Sequence, residues 1–380
     1  MNEKLISSIE PFYVMEILEK ANKLEEKGRK IVHLEIGEPT ESVHPFIKKE
    51  AISAINRNND KYSHSLGLPA LRNSISKKYF KDFNLKISPD RMAITTGASS
   101  ALVLSLLATM SKGDEVVLVE PYYPCYPQLI KIFGGKVKIF TTRLDENFQI
   151  NTSKFKSFIS SKTKLIILNS PSNPTGVSQS AKVLKFLSSL KIQIISDEIY
   201  QGLNYEAETK TILNYAPSAI VVNGFSKLYS MTGWRLGHLI VPMKLIRGVQ
   251  KLQQNMFICA PVISQYGAIG ALRISKNEID SLLSEYKAKR DFMLSALNDL
   301  GIDVGYSPDS SFYVFCNMEK YCKDSLKLSL DILNRVGLAV APGRDFGPTF
   351  NGYIRLSYSS SFKNIKNGLK RLKKYIKEYT

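Results

Sequence analysis

Between residues 92 and 241 the chain returns repeatedly to short, almost unbroken apolar runs, at 92–95, 116–119, 137–140, 165–169, 192–197, 220–223 and 236–241. A strand with one solvated face alternates apolar and polar residues. A run without that alternation needs cover on both faces, which parallel strands flanked by helices receive. Helical stretches alternate with these runs, so the pattern predicts an α/β fold: a large domain with a mainly parallel sheet sandwiched by helices. No run approaches the ~18 apolar residues of a membrane span, and no internal repeat or low-complexity segment breaks the pattern.

A length of 380 residues exceeds one ordinary core, so two domains are expected. The predicted division is 1–45 for an N-terminal arm and part of a small domain, 46–285 for the large domain, and 286–380 for a small C-terminal domain. Residues 17–27 read as a charged helix, after an arm whose Pro11-Phe12-Tyr13-Val14-Met15 is expected to lie on a partner subunit. A long helix at about 277–300 leaves the large domain, and 311–315 supplies a strand of the smaller α/β domain built from both termini.

The chain carries 52 basic and 34 acidic residues, a net charge of +18, which raises nucleic acid or anionic surfaces as partners. The lysines are spread widely, however. The densest run, 363–377, places Ile365, Leu369, Leu372 and Ile376 at spacings of 4, 3 and 4, an amphipathic helix with a solvated basic face. Weak, salt-sensitive binding to polyanions is the expected by-product, and no specific nucleic-acid partner. Cys125, Cys259, Cys316 and Cys322 are scattered, and His33, His44, His64 and His238 form no ligand motif, so neither a disulfide framework nor a metal site is expected. The polar start Met-Asn-Glu-Lys lacks a signal peptide's apolar block, which sets the expectation of a cytoplasmic protein.

Lys227 follows the run 220–223 and stands eight residues before Arg235 in Asn223-Gly-Phe-Ser-Lys-Leu-Tyr-Ser-Met-Thr-Gly-Trp-Arg235. A lysine behind a buried strand loses solvation, which disfavours its charged form and leaves an amine able to condense with a carbonyl. Ser226 and Arg235 offer a hydroxyl and a fixed positive fork, groups that hold a phosphate monoester. An aldehyde bearing a phosphate points to pyridoxal 5'-phosphate. Asp197 ends the run 192–197, and ligands of open α/β sheets collect outside the carboxyl ends of strands, so Asp197 and Lys227 are expected to face one crevice. A carboxylate there pairs with a pyridinium nitrogen, and Tyr200 can reach the ring's phenolic oxygen. Asp197 taken alone reads equally well as a helix N-cap before Glu198.

Further motifs stand in order along the chain: Ile36-Gly37-Glu38-Pro39, Tyr62 with Gly67 and Leu71-Arg72, Thr95-Thr96-Gly97-Ala98-Ser99, Pro121-Tyr122-Tyr123-Pro124, Asn169-Ser170-Pro171-Ser172-Asn173-Pro174-Thr175-Gly176, and Tyr353-Ile354-Arg355-Leu356-Ser357. With the lysine and Asp197 segments, they make the chain resemble, over nearly its whole length, the pyridoxal-phosphate-dependent aminotransferases of class I/II, the aspartate-aminotransferase-like group of fold type I. In residue terms, Gly97, Ala98 and Ser99 form a small-residue turn into a helix, an anion site for the cofactor phosphate. A plain helix start is the alternative there. The resemblance implies that Tyr123 stacks on the pyridine ring, and that Asn173 bonds the phenolic oxygen near the substrate carboxylate. It further implies that Arg355 clamps that carboxylate with the Gly37 amide. A core tyrosine, an Asn-Pro turn, a surface arginine and a turn glycine are the ordinary alternatives. Tyr62 is implied to cross a homodimer interface to the neighbouring subunit's phosphate, so that active sites are shared.

The implied reaction moves an amino group between an L-amino acid and a 2-oxo acid, with ping-pong kinetics and a place in amino-acid biosynthesis. Aspartate or alanine, with 2-oxoglutarate as acceptor, are the first compounds to expect. Ser99 and Ser100 stand where some relatives carry lysine, which weakens aspartate, and Ser310-Ser311 replaces a small Gly-Ala pair common in relatives. A carbon-sulfur β-lyase on the same scaffold and a basic binding protein without catalysis are the alternatives.

Overall fold

A computed structural model describes residues 3–206, 208–302 and 304–379. Its strands are β1 Val32–His33, β2 Met92–Thr95, β3 Glu115–Glu120, β4 Lys136–Thr141, β5 Thr163–Asn169, β6 Gln193–Asp197, β7 Ile220–Gly224, β8 Gly237–Ile240, β9 Tyr313–Asn317, β10 Leu338–Ala339, β11 Ala341–Pro342 and β12 Tyr353–Ser357. The seven apolar runs form one sheet in the order β2-β8-β7-β6-β5-β3-β4. Successive residues turn to opposite faces. Val117, Ile166, Ile194 and Val221 join one apolar cluster, while Val116, Leu118, Ile167, Ile195 and Val222 join another on the far side. Both faces are dry, which is why the strands read as unbroken apolar runs.

Pairing is parallel through β4-β3-β5-β6-β7. Strand β8 departs from this, running antiparallel to both β7 and β2. The connection from β7 to β8 is a set of turns around Lys227 and Arg235 without a crossover helix, so the chain returns beside the strand it has just left. Strands β2, β5, β6 and β7 therefore end at one edge of the sheet, where ligands of open α/β sheets bind.

Both termini contribute to a second set of elements. Strand β1 pairs with β10 in parallel, and β11, β12 and β9 form an antiparallel sheet. Helix Tyr13–Glu26 buries Ile17 and Ala21 against Leu333 and Ala339. The terminal helix Phe362–Tyr379 buries Ile365, Leu369 and Leu372, as their spacing predicts. Helix Lys276–Asn298 starts on a capping box of Ser275 and Glu278.

Tyr13-Val14-Met15 forms the first turn of the helix Tyr13–Glu26. The carboxylate of Asp345 accepts the amides of Tyr13 at 3.0 Å and Val14 at 2.9 Å, and Val14 packs with Phe148 and Phe315 of its own chain. The strand expected at 311–315 begins at Tyr313, because Ser311 takes a left-handed φ of 58° and turns the chain. Among the described residues no helix is long and apolar enough to cross a membrane, and no cluster of three or more metal-ligating side chains is found.

Candidate active site

Lys227 keeps part of its surface open to the crevice, yet surrounding protein desolvates its amine. The amine donates to the carbonyl of Gly37 at 2.6 Å and lies 6.0 Å from the centre of the Tyr200 ring. Burial, then the positive charges of Arg355 and Arg235, bring its pKa down to about 8, against the opposing pull of Glu38 and Asp197. Near neutrality this amine sheds its proton far more readily than a surface lysine does.

Asp197 closes β6 and is buried. One carboxylate oxygen accepts from the Tyr126 hydroxyl at 2.7 Å, the other from the Ile199 amide at 3.2 Å. The Ile199 contact closes a turn, and no helix starts at Asp197, so the helix N-cap reading is not met; the charge of Lys227 acts on the carboxylate. Burial pushes its carboxyl up to about 6, while Tyr126, Ile199 and the charge of Lys227 pull the other way.

At the end of β2 the chain enters helix Gly97–Thr109, whose N-cap residue Thr96 provides no side-chain cap. The first-turn amides, with Ala98 and Ser99 among them, are left for an anion, and the helix dipole favours one. Gly97 has φ +77°, and a Cβ there would stand 2.8 Å from a guanidinium nitrogen of Arg235. The arginine therefore lies against the helix mouth. It holds its own left-handed φ of 51° and donates to the Thr232 carbonyl at 2.9 Å. Non-glycine residues rarely keep that conformation without a surrounding structure that fixes it. Ser226 is buried beside Lys227, whereas the Ser99 side chain is exposed. Tyr123 presents its ring edge-to-face with Tyr126 at 5.6 Å and Phe12 at 5.8 Å.

Arg355, 3% exposed, sits in the central strand β12. Its guanidinium donates to the Asn173 side-chain oxygen at 2.8 Å and to the Glu35 carbonyl, and lies over the rings of Tyr313 at 4.4 Å and Phe346 at 5.1 Å. Its Nε has no partner, and the group enters no ion pair among the described residues. A buried guanidinium without an acid is costly, and an incoming carboxylate offsets that cost. Asn173 is tied back to the sheet, its amide donating to Asn169, whose side chain donates to the Asp197 carbonyl. Gly37 is bare because a Cβ would fall 1.7 Å from the Tyr313 hydroxyl.

One crevice therefore gathers Lys227, Asp197, Tyr200, Gly37, Asn173 and Arg355, with the Gly97–Arg235 pair at the edge of the same sheet. Tyr62 is not tied into it within one chain: its side chain is 81% exposed and makes no hydrogen bond among the described residues. Sequence reasoning missed Tyr126, three residues after the singled-out Tyr123, and Tyr313, noted only as part of a strand.

Residues 29–372 match the family model for aminotransferases of class I and II. The chain belongs to this family. Its members depend on pyridoxal phosphate, and the protein is a transaminase. It is 38% identical over 99% of its length, and all of the other's, to the (5-formylfuran-3-yl)methyl phosphate transaminase of Methanocaldococcus jannaschii. It is 36% identical to a probable aspartate aminotransferase of the same organism, over 89% of this chain and 91% of that one. A crystal structure from Methanococcus jannaschii, described as similar in its active site to kynurenine aminotransferases, superposes with a TM-score of 0.91 at 38% identity, covering 99% of this chain and 100% of that chain.

The residues of this transaminase fit the cofactor. A desolvated amine suits its aldehyde, a raised carboxyl suits its ring nitrogen, and an uncapped helix start beside a strained arginine suits its phosphate.

Proposed function

We propose that the protein transfers an amino group from an L-amino acid, aspartate or alanine being the first candidates, to a 2-oxo acid such as 2-oxoglutarate, with Lys227 as the residue that carries the aldehyde carbon of pyridoxal phosphate and then moves the proton. The cofactor supplies a carbonyl for amine exchange and a ring that withdraws electrons from the substrate α-carbon. Asp197 would hold the ring nitrogen protonated, Tyr200 and Asn173 would hold the phenolic oxygen, Gly97, Ala98, Ser99, Ser226 and Arg235 would hold the phosphate, and Tyr123 would cover the ring.

Arg355 and the Gly37 amide grip the substrate carboxylate, which fixes the α-carbon hydrogen toward the Lys227 amine. With the cofactor bound, the Lys227 amine would be placed to take the proton from the substrate α-carbon as base and to return it as acid. A pKa near 8 suits both halves of that transfer. The observation that carries this reading is a pair of neighbouring cations in the crevice: among the described residues the Lys227 amine is bonded to the Gly37 carbonyl alone, and Arg355, close enough to lower its pKa, enters no ion pair. We further propose that the active unit is a homodimer in which Tyr62, so exposed in one chain, completes the partner's phosphate site.

The test is a half-reaction screen. Purified holoprotein is mixed with each amino acid without an oxo acid, and the visible band of the bound cofactor is followed. Stoichiometric bleaching by aspartate or alanine, reversed by 2-oxoglutarate, is expected. A band that no L-amino acid bleaches would refute the proposal.

A further inference from the structure

Two tyrosine hydroxyls meet in the crevice, those of Tyr200 and Tyr313, 2.8 Å apart with either able to donate. Both side chains are buried, so each proton needs an acceptor. Among the described residues no acceptor other than the Tyr200 hydroxyl is found for the Tyr313 proton, although the Tyr313 hydroxyl packs against the Gly37 backbone. If Tyr200 donated to Tyr313, the Tyr313 proton would be stranded. The reverse direction leaves the Tyr200 proton available for an acceptor that enters with the cofactor.

We propose that Tyr313 is a positioning residue that donates to Tyr200, aims the Tyr200 proton at the phenolic oxygen of the cofactor, and couples that oxygen to the carboxylate clamp. This rests on the role given to Tyr200 above. The coupling is built into one side chain. The Tyr313 ring lies 4.4 Å below the Arg355 guanidinium and edge-on to the Tyr200 ring at 5.6 Å, while its hydroxyl blocks any side chain at position 37. The ring steadies the cation that receives the substrate. Its hydroxyl polarises the next donor in the chain, and a donor that is itself an acceptor gives a stronger hydrogen bond.

The experiment compares Tyr313→Phe, Tyr313→Leu and Tyr200→Phe with the unmodified holoprotein, reading the pH midpoint of the visible band and the Kd for propionate, a carboxylate without an amine to react. A donor to an anionic oxygen stabilises the deprotonated form, so weakening it raises the midpoint. Tyr313→Phe should raise it by about 2- to 10-fold in proton affinity, less than Tyr200→Phe does, and leave the propionate Kd within about twofold. Tyr313→Leu, which also loses the ring, should weaken propionate by about 2- to 30-fold. A midpoint unmoved in Tyr313→Phe but moved in Tyr200→Phe would overturn the inference and spare the role of Tyr200. Neither moving would remove both. An unchanged propionate Kd in Tyr313→Leu would overturn the link to the clamp. Tyr313→Phe keeps the packed ring, so its result stands even if the leucine variant fails to fold.

Discussion

Replacing Asp197 by Asn should stabilise the cofactor-free protein while destroying what the residue is for. The carboxyl is held at about 6 against an ordinary 3.8, chiefly by burial. A folded-state value above the unfolded one means that the folded protein binds the proton more tightly. The group's favourable contribution is thus complete below about pH 4 and lost as pH climbs through 6. Above that, keeping the carboxylate ionised in the fold costs about 3 kcal/mol. Asn removes the charge and keeps an oxygen for the Tyr126 hydroxyl or the Ile199 amide. Lys227, however, loses an attractive neighbour, which trims the gain. The net expectation is about 1–3 kcal/mol of extra stability near pH 8 that vanishes near pH 4. Urea unfolding of both apoproteins across that range measures it. Adding pyridoxal phosphate should reverse the ranking, since only the aspartate form binds it tightly. The reasoning fails if the aspartate apoprotein gains stability over the variant as pH rises from about 4 to 7.

Three more outcomes follow from the same geometry. Gly97→Ala must accommodate φ +77° and push the Arg235 guanidinium off the helix mouth, so cofactor affinity should drop about tenfold or more with circular dichroism unchanged. Arg355→Lys loses the planar fork that reaches Asn173 and Glu35, and kcat/KM in steady-state assays should fall about 10- to 100-fold, mostly through KM. In the apoprotein, acylation of Lys227 should rise with pH around a midpoint near 8, because burial and two arginines favour the neutral amine; peptide mapping of the acylated residue reads this directly.

The sheet and most of the crevice were legible in the sequence for one reason: each was written in consecutive residues. Unbroken apolar runs mark strands covered on two faces, and the site residues 97–99, 169–173, 197–200 and 226–235 lie where those strands end. What was not legible depended on meetings between distant segments. The direction of β8 follows from how the turns around Lys227 fold. The N-terminal segment is tied to Asp345, more than 300 residues away, whose carboxylate accepts the amides of Tyr13 and Val14. Tyr126 matters through its hydroxyl on Asp197, and Tyr313 through its contacts with Tyr200, Arg355 and Gly37. Among 19 tyrosines no local pattern separates these two from core packing.

The most direct test of the central claim is to treat the holoprotein with borohydride, digest it with trypsin and find which peptide carries the reduced cofactor. The label should sit on Lys227, the desolvated amine beneath Gly37, and should be absent from Lys227→Ala. A stable label on any other lysine, or none at all, would contradict the account.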